Sequence, residues 1–124
     1  MAMTSPLAPD TDCHRVSAIL SRVGDKWTMQ IIVALREQPW RFNELKRYIG
    51  GISQQMLTRT LKLLERDGMV LRTVTPTTPP QVEYALTELG RELSEPVRRL
   101  AMWAVAHLDA IDENRERYDD ADRS

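Results

Sequence analysis

The stretch Gly51–Thr73, GISQQMLTRTLKLLERDGMVLRT, decides the fold. It reads as one short helix with two unlike faces, followed at once by a strand. At about 100° per residue from Leu57, the residues Thr60, Leu61 and Leu64 fall on one side. Gln55, Arg59, Lys62 and Arg66 fall on the other. That outer stripe holds amides and cations but no carboxylate. A merely solvated helix face usually mixes signs, because opposite charges at i and i+4 attract. An acid-free stripe of Gln, Arg and Lys suits a DNA major groove, where amides and guanidinium groups bond base edges and cations meet phosphates.

Working outward, the pattern on either side supplies the rest of a small domain. Val16, Ile19, Leu20 and Val23 have helical spacing, which predicts a first helix from about His14 or Arg15, ended by Gly24. Asp25 is a good N-cap for a second helix to about Glu37, with Trp27, Ile31, Ile32 and Leu35 facing in. Pro39 stops it. Trp40-Arg41-Phe42 fits a very short strand, and Asn43 a cap for a third helix with Leu45 and Ile49 inside and Lys46 and Arg47 outside. Gly50-Gly51 makes a turn, Ser53 caps the helix 53–67, and Gly68 stands where a left-handed residue closes a helix. Two strands, Met69–Val74 and Gln81–Leu86, flank a loop stiffened by Pro76, Pro79 and Pro80. Thr87 caps a last helical region. Pro96 is expected to kink or break it, because proline lacks a donor and clashes with the Glu92 carbonyl. Beyond it, Val97, Leu100, Ala101, Ala104, Leu108 and Ile111 form a continuous apolar stripe.

The expected class is mainly α with a small β-hairpin wing (α+β). Two helices joined by a glycine turn, then a hairpin, make a winged helix-turn-helix. Residues 1–12 read as a flexible arm, 13–111 as a single domain, and 112–124 as a charged, frayed tail.

Composition narrows the function. The chain has 124 residues, enough for one core. No apolar run approaches the roughly 18 residues of a membrane span. The N-terminus resembles no signal peptide, and the single cysteine, Cys13, fits a reducing compartment, so the expected location is cytoplasmic. Net charge is −1, yet residues 36–66 carry seven cations against three carboxylates, a local +4. Residues 109–124 carry seven carboxylates against three arginines, a local −4. Local fields steer DNA encounter, so the acidic tail does not exclude it. No Gly-rich phosphate loop follows a strand. Cys13, His14 and His107 are too few and scattered for a zinc site. The expectation is therefore no enzyme, no metal and no cofactor.

The chain resembles the HxlR family of bacterial winged-helix transcriptional regulators, within the MarR-like group. The resemblance rests on Cys13, Gly24-Asp25-Lys26-Trp27-Thr28, Arg41-Phe42-Asn43-Glu44-Leu45, Gly51–Thr58, Leu64-Glu65-Arg66-Asp67-Gly68, Pro79-Pro80, and Val82-Glu83-Tyr84 with Leu86–Gly90. It covers roughly Cys13 to Leu108. It implies a homodimer bound to an operator. Two positions depart from the family pattern: Gln81 stands where wings often carry a basic residue, and His14 where proline is frequent.

Candidate roles follow. Gln54, Gln55, Thr58 and Arg59 occupy the first two helical turns, the part that reaches base edges in helix-turn-helix docking. Ser53 and the helix N-terminus suit a phosphate. Lys62 and Arg66 suit DNA backbone, as do Arg41, Lys46 and Arg47 before the turn. Arg72, Thr75, Thr77, Thr78 and Gln81 belong to the wing, near the minor groove. Val16, Ile19, Leu20, Val97, Leu100, Ala104, Leu108 and Ile111 suit a dimer interface through the terminal helices. Cys13, beside His14 and Arg15 near a helix start, suits a thiol sensor for an oxidant or electrophile, as in some family members; a small-molecule effector is the other expected signal. The rival reading is a winged helix used for protein–protein contact without sequence-specific DNA binding. Membranes are not an expected partner.

Overall fold

The computed structural model describes residues 12–123. The proposed arm, residues 1–12, therefore lies outside it except for Asp12. In chain order the elements are α1 (Cys13–Val23), α2 (Lys26–Glu37), β1 (Trp40–Arg41), α3 (Phe42–Ile49), α4 (Gln54–Arg66), β2 (Val70–Thr75), β3 (Gln81–Leu86), α5 (Glu88–Ala106) and α6 (Leu108–Arg123). The three strands form one antiparallel sheet in the order β1-β3-β2. Trp40 faces Tyr84, and β2 pairs with β3 from Val70–Leu86 to Thr75–Gln81.

One core joins these pieces. Ile31, Ile32 and Leu35 of α2 meet Leu45 of α3, Leu57, Leu61 and Leu64 of α4, Val70, Tyr84 and Leu86 of the sheet, and Val97 of α5. Burying one such side chain stabilises the fold by about 1.5–3 kcal/mol relative to leaving it in water. Trp27 and Trp40 pack at its margin, and the Trp40 indole donates to the Ala34 carbonyl at 2.9 Å. The buried Ser94 hydroxyl accepts from Arg36 at 3.0 Å and donates to the Arg91 carbonyl at 2.7 Å. Arg36 also pairs with Glu95 at 2.5 Å, so one guanidinium ties α2 to α5. The Arg99 hydrogen bond and the Arg36 charge hold the Glu95 carboxyl below its ordinary range.

Most caps lie where the sequence puts them. The Asp25 carboxylate accepts from the Trp27 and Thr28 N–H groups, and the Thr87 hydroxyl from the Gly90 N–H. Four expectations are corrected. The first helix begins at Cys13, one to two residues early, so Cys13 lies in its first turn. Helix α3 begins at Phe42, with Arg41 rather than Asn43 as its cap; the Glu44 carboxylate turns back to accept from the Arg41 N–H. Pro96 does not break the last helix, because Ser94, Glu95 and Val97 on either side of it are all held by tertiary contacts. The break falls instead at His107, whose Nδ1 lies 2.7 Å from the Trp103 carbonyl and whose ring stacks on Trp103. The stripe from Val97 to Ile111 is therefore divided between two helices. Finally, residues 112–123 are helical rather than frayed. Arg117 bonds Asn114 and Arg123 pairs with Asp120, the short-range contacts that support an exposed helix.

Gly90 shows a close approach of backbones. A Cβ there would lie 2.1 Å from the Met69 carbonyl oxygen. Gly90→Ala is expected to lower unfolding free energy by about 1–3 kcal/mol, the usual cost of overpacking. Denaturant unfolding measures this, and an unchanged midpoint would show that Met69 and α5 separate freely at that point.

Candidate nucleic-acid interface

Helix α4 owes its position to the residues at its two ends. Gly50 and Gly51 have φ of 68° and 76°, a region that side chains with a Cβ rarely enter. This turn reverses the chain between α3 and α4. Ser53 then caps α4, its hydroxyl accepting from the Met56 N–H at 3.0 Å. At the far end the Gly68 N–H bonds the Glu65 carbonyl and the Met69 N–H bonds the Leu64 carbonyl, a Schellman closure. The inner face is fixed by Leu57, Leu61 and Leu64, all essentially inaccessible to water. Thr60 is buried with them and satisfies its hydroxyl on the Met56 carbonyl at 2.8 Å.

With the inner face fixed, the outer face has one orientation. Gln54, Gln55, Thr58, Arg59, Lys62, Leu63 and Arg66 line an open depression along it. Six of these are the residues the sequence singles out. Leu63 is the addition. Its signal was its place off the Leu57-Leu61-Leu64 stripe, an apolar residue at the edge of a polar face. The remaining candidates do not line this depression. Arg41 sits in β1 opposite Glu83, half-buried Lys46 and exposed Arg47 lie on α3, and Arg72 lies in β2 opposite Tyr84. Thr77 and Thr78 lie in the exposed wing loop, where the Thr77 hydroxyl donates to the Pro79 carbonyl, and Gln81 opens β3 opposite Thr75.

Five arginines are paired within the chain, and the cations around α4 are not among them. Arg15, Arg22, Arg36, Arg99 and Arg123 each face a carboxylate. Among the described residues, no ion pair engages Arg41, Lys46, Arg47, Arg59, Lys62, Arg66 or Arg72. Among the described residues, no group of three or more His, Cys, Asp or Glu is placed to hold a metal ion. No helix there is long and apolar enough to cross a membrane.

The proposed dimer residues lie in unlike settings. Ile19, Leu20, Leu100 and Leu108 are more than half exposed, and Val16, Ala104 and Ile111 are half-buried. Val97 is 3% exposed and belongs to the chain's own core, so it has no surface to offer a second copy. Met102, Trp103 and Val105 of α5 are also exposed. The thiol of Cys13 is half-buried, 4.0 Å from the Ser17 hydroxyl.

The Ser53 cap is open to direct test. Ser53→Ala is expected to cost about 1 kcal/mol, whereas Ser53→Asp, an equally good cap, retains the stability. Thermal unfolding of both variants measures this; equal losses would show that the hydroxyl's bond to Met56 is not what secures the helix start.

The HxlR-like helix-turn-helix family model matches residues 22–112. An uncharacterized HTH-type transcriptional regulator, YtfH of Escherichia coli (strain K12), is 45% identical over 93 residues, 75% of this chain and 74% of that protein. Among solved structures, the redox regulator HypR in its reduced form superposes with a TM-score of 0.74 at 37% identity, over 80% of this chain and 98% of that one. The reduced transcriptional regulator YodB from B. subtilis gives 0.66 at 36% identity, over 82% and 92%. A capped helix after a glycine turn, a hairpin wing in a three-stranded sheet and this match over most of the domain lead to one conclusion: the chain belongs to the HxlR-like helix-turn-helix family of transcriptional regulators.

Proposed function

We propose that the chain is a cytoplasmic, sequence-specific DNA-binding regulator that acts as a homodimer on a pseudo-palindromic operator. Helix α4 enters the major groove and the wing loop lies near the minor groove. The observation that carries this reading is the outer face of α4: two amides, a hydroxyl and three cations in one strip, with no ion pair engaging those cations among the described residues. Gln55 bonds adenine and Arg59 guanine, each in bidentate fashion, and Leu63 offers an apolar contact to a thymine methyl. Ser53 and the α4 N-terminus hold a phosphate, and Lys62, Arg66, Arg41, Lys46 and Arg47 meet the backbone.

Dimerisation is supported by the apolar surface of α1 and α5. Helix α1 has no buried residue although Ile19 and Leu20 lie on it, and the last two turns of α5 expose Leu100, Met102, Trp103 and Val105 around the helix. A helix apolar on several sides is normally covered. Pairing two copies covers it and sets two α4 helices on successive major-groove turns, roughly 34–36 Å apart. Cys13 is the proposed sensor of an oxidant or electrophile. HypR is described as a redox regulator, and Cys13 starts a helix that belongs to the proposed interface. With one cysteine per chain, any disulfide joins two molecules.

Arg59→Ala is expected to lower affinity for the operator roughly 5- to 150-fold, the range of one good bidentate pair, with little effect on random-sequence DNA. Fluorescence anisotropy on both duplexes measures this. Equal losses would make Arg59 a backbone contact. Wild-type affinity should also fall steeply with added salt, as counterion release requires. Salt-insensitive affinity would favour the protein–protein reading.

A further inference from the structure

We infer that Arg22 and Asp67 form a tie through which helix α1 positions the recognition helix. This inference rests on the proposal that α4 reads DNA. The Arg22 guanidinium meets the Asp67 carboxylate at 2.5 Å, with both side chains about one-third exposed. Arg22 lies in the last turn of α1, and Asp67 is the C-cap of α4. The two residues are 45 positions apart, so the pair is a tertiary contact and not a local one.

Three features make this pair more than a surface ion pair. First, Asp67 is an acid at the negative end of a helix, an unfavourable place that a neighbouring cation corrects. Its backbone is fixed, since its own N–H bonds the Leu63 carbonyl and the next two N–H groups close the helix. Second, α1 and α4 are not packed tightly on one another. A cleft of about 360 Å³ opens between them, bordered by Ser21 and Arg22 of α1 and by Met56, Arg59 and Leu63 of α4. No residue of α1 is fully buried, and its apolar contact with the core is made by half-buried Val23 at its end. Third, among the described residues Asp67 is the carboxylate that pairs with Arg22, and no other does. The carboxylate of Asp25 is engaged by the N–H groups of Trp27 and Thr28, which begin α2. Arg22 is therefore a positioning residue. It acts on DNA through Asp67 and α4, and it connects the helix that carries Cys13 to the one that reads bases.

Simple charge and positioning predict opposite signs for one of two variants. Arg22→Gln removes a cation and Asp67→Ala removes an anion. If only long-range charge mattered, the first would weaken DNA binding and the second would strengthen it. Positioning predicts that both weaken operator binding, on the order of fivefold, with little change on random-sequence DNA. The double variant should then lose no more than either single one, and the swap Arg22→Asp with Asp67→Arg should recover most of the affinity. Amide hydrogen exchange gives a readout without DNA: the last turn of α4, Glu65 to Met69, should exchange faster in both single variants and return toward wild type in the swap. Tighter binding by Asp67→Ala, or unchanged exchange in folded variants, would overturn the inference. Failure of the wild-type protein itself to prefer its operator would instead overturn the DNA-binding reading.

Discussion

Helix α4 must bury one face completely while leaving the other bare, and the rest of the chain is arranged around that requirement. Leu57, Leu61 and Leu64 drive the inner face into the core formed by α2, α3 and the sheet. A helix seated by three such contacts cannot rotate without exposing them, at about 1.5–3 kcal/mol each. Its outer residues are thereby aimed without needing contacts of their own. The glycine turn before it and the Gly68 closure after it set where it starts and stops. Between those limits Gln54 to Arg66 share a single surface. This is how a short chain builds a rigid reading head: burial supplies the precision, and the polar face stays free for its partner.

Much of this was written in local pattern. The period of the α4 leucines, the Asp25, Ser53 and Thr87 caps and the hairpin around Pro79-Pro80 all depend on residues within a few positions of one another. Two of the misreadings have a different cause. Asn43 is a better intrinsic cap than Arg41, yet pairing of β1 with β3 ends at Arg41, so the helix begins directly after it. Pro96 is a helix breaker by itself, but Arg36 grips Ser94 and Glu95 from α2 and Val97 is held in the core. His107 carries no strong sequence signal, and only its ring lying on Trp103 and its Nδ1 beside the Trp103 carbonyl reveal the break. At Asn43 and Pro96 a partner distant in sequence overrode a local preference, whereas at His107 the deciding contact lies one helical turn away. The site was similarly divided. The α4 strip was readable from helical period, whereas the half-covered Leu63 and the buried Val97 required the packed structure.

Two arginines tie distant elements of the fold together. Arg36 joins α2 to the first half of α5, and Arg22 joins α1 to the end of α4. The cations on and around the outer face of α4 are not used in this way. The arginines that join distant elements, Arg22 and Arg36, are thus separate from the cations around α4, which no ion pair engages among the described residues. The near-zero net charge hides this separation, because the acidic helix α6 offsets the basic centre in the total but not in space along the chain.

Reading of the major groove by α4 is tested most directly by dimethyl sulfate probing of guanine N7 on an operator duplex selected from genomic DNA, with and without the protein. N7 lies in the major groove, where Arg and Gln side chains reach base edges. Insertion of two copies of α4 predicts two patches of protected guanines, symmetric about a centre and about one helical turn apart. A bound complex in which every guanine N7 stays as reactive as in free DNA would contradict it.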